Sequence, residues 1–242
     1  MRLDKYICDS ALLTRTEASR VIRSGAVKVN GKVVRDRAFK ISENNDAVIL
    51  SGQPLIYQKH IYIMLNKPDG YVSATEDGKD KTVIELLSAE LQKKYLFPVG
   101  RLDKNTLGLL LLTNNGQLAH KLLSPKSHAE KIYKFTVKFP LSDEDTYRLQ
   151  HGVTLDDGYV TLSSRVTLAS EDRMSGTIAV TEGKFHQIKR MMEAVGNKIV
   201  YLERIRFGPL QLDDRLERGS WRYLTDAEIR ALEGVLEAND DD

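Results

Sequence analysis

Cysteine is almost absent from this 242-residue chain, with Cys8 the only one. An internal disulfide and a cysteine-based zinc cluster are both excluded. The five histidines, at positions 60, 120, 128, 151 and 186, lack the short spacings of metal ligands. No metal site is expected. No apolar run approaches the roughly 20 residues of a membrane-crossing helix, and Met1-Arg2-Leu3-Asp4 leads into charged sequence and not into an apolar leader. These features lead us to expect a cytoplasmic protein without membrane association. A phosphate loop of the form Gly-x-x-x-x-Gly-Lys-Ser/Thr is missing as well. No internal repeat or low-complexity stretch interrupts the chain.

A hydrophobic content of 41% is enough for a substantial core, in one large domain or two smaller ones. The net charge of +2 conceals an asymmetry. Residues 1–60 hold 11 Lys/Arg against 6 Asp/Glu, whereas the remainder holds 25 against 28. A basic module joined to a nearly neutral body is the pattern of a nucleic-acid or anionic-surface binder, although a solvated basic face gives the same count.

The first quarter reads as two short helices followed by strands. Leu3, Tyr6 and Ile7 share one face of the first helix. Thr14-x-x-Glu17 is a capping box opening the second, with Ala18, Val21 and Ile22 inward and Gly25 as its stop. Arg15, Arg20 and Arg23 are left on the outer surface. Asn30-Gly31 between two short β-type runs predicts a tight hairpin that carries Lys28 and Lys32. A strand over 47–50 precedes Ser51-Gly52-Gln53-Pro54, which places the boundary within 52–60. The expected organisation is a domain over 1–55, a linker over 56–60 and a second domain over 61–238.

Beyond the boundary, strands are expected at 61–65, 132–139, 177–180 and 199–207, and helices at 83–87, 117–123, 143–149, 187–195 and 226–236. Thr225-x-x-Glu228 caps the last of these, and Asp240 to Asp242 form an acidic tail. The expected class is α+β on a mixed, mainly antiparallel sheet. The most unusual stretch runs from Pro98 to Asn114. There Asp103 sits between Arg101 and Lys104 on a polar loop, directly before a strand apolar on both faces. A carboxylate on the rim of a buried strand is well placed for chemistry, but an aspartate closing a turn has the same sequence.

The motifs resemble two known families. Arg2-Leu3-Asp4-Lys5-Tyr6-Ile7, Thr14-Arg15-Thr16-Glu17-Ala18 and Ile22-x-x-Gly25-x-Val27-x-Val29-Asn30-Gly31 resemble the S4-type RNA-binding domain. Gly100-Arg101-Leu102-Asp103, with Thr106 and Gly108, is similar to the central motif of pseudouridine synthases. Asn66-Lys67-Pro68-x-Gly70, Lys131-x-Tyr133 and Glu182-Gly183-Lys184-x-His186-Gln187-Ile188-Lys189-Arg190-Met191 resemble the family's other motifs, in the family's order.

The resemblance implies that Asp103 attacks a flipped-out uridine at C6 or C1′, that Tyr133 stacks on the uracil and assists loss of the C5 proton, and that Lys189 keeps Asp103 ionised. Read without it, Tyr133 is a core aromatic and Lys189 a solvated cation. Arg101 is implied as the side chain that fills the gap in the RNA stack, and Leu202 as a pocket wall. Lys67, Lys184, Arg190, Arg204 and Arg206, with Arg15, Arg20, Arg23 and Lys28, are implied as RNA contacts. No cofactor is implied, because the isomerisation is redox-neutral.

The length, the S4-like start and the short stretch after Trp221 are most similar to the branch acting on small-subunit (16S) ribosomal RNA. The large-subunit branches share the same motifs. The implied partner is ribosomal RNA, as free RNA or in a partly assembled small-subunit particle, met by a monomer. Two other readings stay open on the residues alone. One is a non-catalytic RNA-binding assembly factor; the other is a hydrolase pairing Asp103 with a second acid such as Glu182.

Overall fold

In the computed structural model, residues 1–11, 13–43, 45–55, 57, 60–124, 127, 129–169 and 171–237 are described. Three residues of the expected linker (Ile56, Gln58 and Lys59), His128 and the acidic tail lie outside them. The chain divides into two compact units, Met1–Ile61 with Ala89–Lys94, and Tyr62–Ser88 with Tyr95–Asp242. The first unit runs past the expected 1–55 to Ile61 and takes in a second segment. A short helix, α3 (Ala89–Gln92), groups with the first unit, where Leu91 is buried and the Lys94 ammonium donates to the Asp9 carbonyl.

Local signals dominate the first unit. Helix α1 (Leu3–Ala11) buries Leu3, Tyr6 and Ile7. Helix α2 (Arg15–Ser24) opens on the reciprocal Thr14–Glu17 box and closes on Gly25, which adopts φ 84°. Its inward face is Ala18, Ser19 and Ile22, with Val21 only half-buried. Strands β1 (Val27–Val29) and β2 (Lys32–Val33) form the hairpin, with Asn30 and Gly31 at φ 50° and 80° as a two-residue turn requires. With β3 (Val48–Leu50) and β4 (Gln53–Leu55) they complete a sheet of order β2-β1-β3-β4. The two helices and this sheet enclose one core.

The second unit is built on a nine-stranded sheet. Its strands are β5 (Tyr62–Lys67), β6 (Phe97–Pro98), β7 (Leu107–Thr113), β8 (Lys131–Val137), β9 (Arg165–Leu168), β10 (Ser175–Val180), β11 (Ile199–Phe207), β12 (Leu210–Gln211) and β13 (Trp221–Tyr223). The main order is β13-β5-β7-β11-β8-β10-β9, and only β7 and β11 pair in parallel along it. Six of the seven β7 residues are buried, which explains its uniformly apolar sequence. Gly108 starts the parallel pair at φ 96°, and a Cβ there would lie 2.3 Å from the Arg204 carbonyl oxygen. Only glycine permits that approach.

The helices of this unit are α4 (Gly116–Leu123), α5 (Asp143–His151), α6 (Gln187–Ala194) and α7 (Asp226–Glu237). Two cores form. One packs α4 and α7 on β5 and β7; the other packs α5 and α6 on β8, β10 and β11. The helix expected at 83–87 is instead a single 3₁₀ turn, Val83–Leu86. The amide of Val83 bonds to the Val72 carbonyl and Leu87 returns to extended backbone, so the capping box opens one turn and no more.

Candidate active site

The loop 101–106 gains its shape from groups that hold its backbone. Ser73 Oγ donates to the Leu102 carbonyl and accepts from the Leu102 amide, at 2.9 and 3.0 Å. The Thr106 amide closes the turn onto the Asp103 carbonyl. From beneath, the Lys67 ammonium donates to the carbonyls of Pro68, Lys104 and Thr106 at 3.0–3.1 Å. Lys67 has no exposed surface, and burial pushes its ammonium down to about 8, against the attraction of Asp69 and Asp103. The loop therefore arrives at β7 with the carbonyls of Leu102, Asp103, Lys104 and Thr106 already paired.

The Asp103 side chain projects from this frame into a cavity lined by Arg101, Thr106, Tyr133, Lys184, His186, Lys189 and Leu202, among others. Strand pairing explains the assembly. Glu203 lies opposite Leu107 on β11, so Leu202 falls beside the loop, and Tyr133 follows one strand further on, opposite Arg204. Helix α6 then delivers Lys189, whose Nζ donates to Asp103 Oδ2 at 2.6 Å and to Asn105 Oδ1 at 2.5 Å. Thr106 Oγ1 donates to the same Oδ2 at 3.3 Å. Oδ1 faces the His186 Nε2, 3.5 Å away.

A half-buried carboxylate is thus steadied through one oxygen by a cation, while the other has the His186 imidazole as its neighbour, in a cavity that Tyr133 and Leu202 also line. Such a group can act as a nucleophile. A single lysine contact, unlike a two-pronged arginine, engages one carboxylate oxygen and leaves the other to His186.

The first unit carries a separate depression formed by Arg15, Thr16, Ser19, Arg20, Arg23 and Arg37. The four arginines are exposed and present a concentrated positive surface suited to phosphates.

Comparison with known proteins places these features. Residues 61–194 match the RNA pseudouridylate synthase family model, and residues 1–46 match the S4 domain. This chain belongs to the RNA pseudouridylate synthase family. It is 43% identical over 96% of its length to an RNA pseudouridine synthase of Bacillus subtilis (strain 168), YtzG, of which it covers 98%. To the ribosomal small subunit pseudouridine synthase A of Vibrio vulnificus (strain CMCP6) it is 40% identical, covering 96% of this chain and 99% of the relative. A crystal structure of a pseudouridylate synthase superposes with a TM-score of 0.67 at 36% identity, across 96% of this chain and 99% of that one. The chain is accordingly an RNA-modifying enzyme that joins a pseudouridine synthase fold to an S4 domain, and it binds RNA.

Within this pseudouridine synthase, Asp103, Tyr133, Lys189, Arg101, Leu202 and Lys184 share one cavity. Arg101 is exposed and makes no ion pair among the described residues. Three expected RNA contacts need correction. Lys67 is a buried brace of the Asp103 loop with no surface to offer. Arg190 is held by Asp156 and Asp157, which occupy its guanidinium. Arg204 is buried, donates to the Leu109 carbonyl and stacks on Phe207, so it belongs to the sheet. Arg206 and Lys28 remain exposed.

Glu182 lines the same cavity as Asp103. Its carboxylate accepts from the Tyr159 hydroxyl, the Leu162 amide and the Gln187 side chain, which fixes the segment ahead of α6. Sequence reasoning passed over three residues. Thr106 and His186 stood inside quoted motifs with no role given, and Arg37 was visible only as part of the basic pair Arg35 and Arg37.

Proposed function

We propose that this enzyme converts one uridine of small-subunit ribosomal RNA to pseudouridine, with Asp103 as its nucleophile. One observation carries the chemistry: Lys189 and Thr106 hold Asp103 Oδ2, His186 Nε2 lies 3.5 Å from Oδ1, and Tyr133 and Leu202 line the same cavity. The carboxylate attacks the extruded uridine at C1′ or C6, the glycosidic bond breaks, and the uracil turns and rejoins through C5. The C5 proton then leaves, with the Tyr133 phenol positioned to take part. Atoms and electrons balance within one nucleotide, so no cofactor is required.

Arg101 enters the gap in the RNA stack. Lys184 and Lys28 contact phosphates, and Arg15, Arg20, Arg23 and Arg37 bind the backbone of structured RNA. The choice of small-subunit RNA rests on full-length relatives named ribosomal small subunit pseudouridine synthase A, including those of Vibrio vulnificus and Salmonella typhimurium. The substrate is a partly assembled small-subunit particle, met in the cytoplasm by a monomer.

Purified protein incubated with 16S transcript, 23S transcript and partly assembled small-subunit particles, followed by pseudouridine mapping, tests this. One converted uridine in 16S RNA, formed fastest on particles, is expected. Conversion confined to 23S RNA overturns the substrate, and conversion of none overturns the function.

A further inference from the structure

Phe185 is 68% exposed beside the catalytic cavity. An exposed phenylalanine alone signifies little, since much of any protein surface is apolar. Here, however, the ring lies flat against His186, with centroids 3.8 Å apart and planes at 17°. The same imidazole lies 3.5 Å from Asp103 Oδ1. Lys184 and His186, its chain neighbours on either side, line the cavity, whereas Phe185 does not. The outer face of the stack therefore lies at the rim.

This rim is held in place. His186 adopts φ 48°, a conformation uncommon for a residue with a side chain. The Lys184 amide donates to Gln187 Oε1 at 3.0 Å, and the Gln187 amide returns to the Lys184 carbonyl at 3.2 Å. Arg190, clamped by Asp156 and Asp157, donates to the Phe185 carbonyl at 3.4 Å. A strained, braced turn that presents an aromatic face to solvent is a feature of ligand-binding segments. The cations flanking it, Lys184 and Arg101, favour a polyanion.

We propose that the Phe185–His186 stack is a platform for the nucleobase adjacent to the uridine being isomerised. The ring stands outside the cavity that receives the target, so the base it takes is a neighbour of that target. Stacking on an aromatic face accepts any base, and it fixes the strand on one side of the extruded nucleotide. The platform rests on the reading that an RNA uridine reacts at Asp103.

The test uses full-length wild-type protein and Phe185→Ala, Phe185→Leu and Phe185→Trp, each checked by thermal melting. The probe is an RNA oligonucleotide spanning the uridine that the wild type converts, with versions abasic at either flanking position. Phe185→Ala and Phe185→Leu are expected to bind about tenfold more weakly, losing more in affinity than in single-turnover rate at saturation, while Phe185→Trp recovers affinity. One abasic flank should weaken wild-type binding by a similar factor and leave Phe185→Ala no weaker.

Wild-type affinity in Phe185→Ala, or equal abasic losses in both proteins at both flanks, overturns the platform. If Phe185→Ala melts early, Phe185→Leu against Phe185→Trp decides, and equal affinity overturns it. Should the wild type convert no uridine, the proposed function fails separately. The comparison is then read on 16S transcript, where unchanged affinity in Phe185→Leu overturns the platform.

Discussion

Lys67 and Tyr133 border the Asp103 site in different ways, one beneath its loop and the other in its cavity wall. The Lys67 ammonium is sealed under the Asp103 loop, and burial lowers it to about 8 from an ordinary value of 10.5. Between those values the folded protein holds Lys67 neutral while the unfolded chain keeps it charged. The unfolded state then binds more protons, so stability rises with pH across that window. Lys67→Met removes this slope. Urea melts from pH 7 to 10.5 should show the wild-type advantage constant below about 8 and widening above it, by about 3 kcal/mol at most; parallel curves would contradict the buried-ammonium account. Tyr133 lines the cavity from β8. Tyr133→Phe keeps the stacking face and removes the phenolic oxygen, so RNA affinity should hold while turnover drops by about 10²-fold or more. Turnover at the wild-type rate would reduce Tyr133 to a stacking surface.

Elements bring together what lies far apart in the chain. Asp103 and Lys189 meet across 86 positions because β7 and β11 pair in parallel and α6 leads into β11. Gly108 permits that pairing. Gly108→Ala should destabilise the fold by about 2–4 kcal/mol, through left-handed backbone strain and collision with Arg204. Turnover should fall with it, because the Asp103 loop feeds directly into this strand. A melting temperature equal to wild type would show that the strands can part without loss. What was legible in the sequence follows the same division. The Asn30-Gly31 hairpin, the Thr14 cap and the Gly25 stop are local, and local chemistry decides them. The Lys67 brace and the Arg190 clamp are tertiary. A lysine and an arginine in basic motifs read as surface groups until the fold supplies buried carbonyls for one and Asp156 and Asp157 for the other. The 83–87 segment differs because Leu87 closes a 3₁₀ turn onto the Ile84 carbonyl and returns to extended backbone, an ending that no local glycine or proline marks.

At the scale of the whole molecule, the charge asymmetry becomes a division of labour. In the function proposed above, the arginines of the first unit supply sequence-independent attraction and the second unit supplies the reaction. Replacing Arg15, Arg20, Arg23 and Arg37 with glutamine should weaken RNA binding and flatten its dependence on salt, because fewer counterions are released. An unchanged salt slope would remove the first unit from the RNA contact. The account as a whole stands on Asp103. Asp103→Asn keeps the shape of the side chain and serves a turn equally well, so a merely structural aspartate tolerates it. The direct measurement is pseudouridine formation on 16S RNA by Asp103→Asn, read beside its thermal melting and RNA affinity and checked for deamidation back to aspartate. The predicted result is a folded, RNA-binding protein that forms no detectable pseudouridine; a folded variant that converts uridine at a near-normal rate would contradict it.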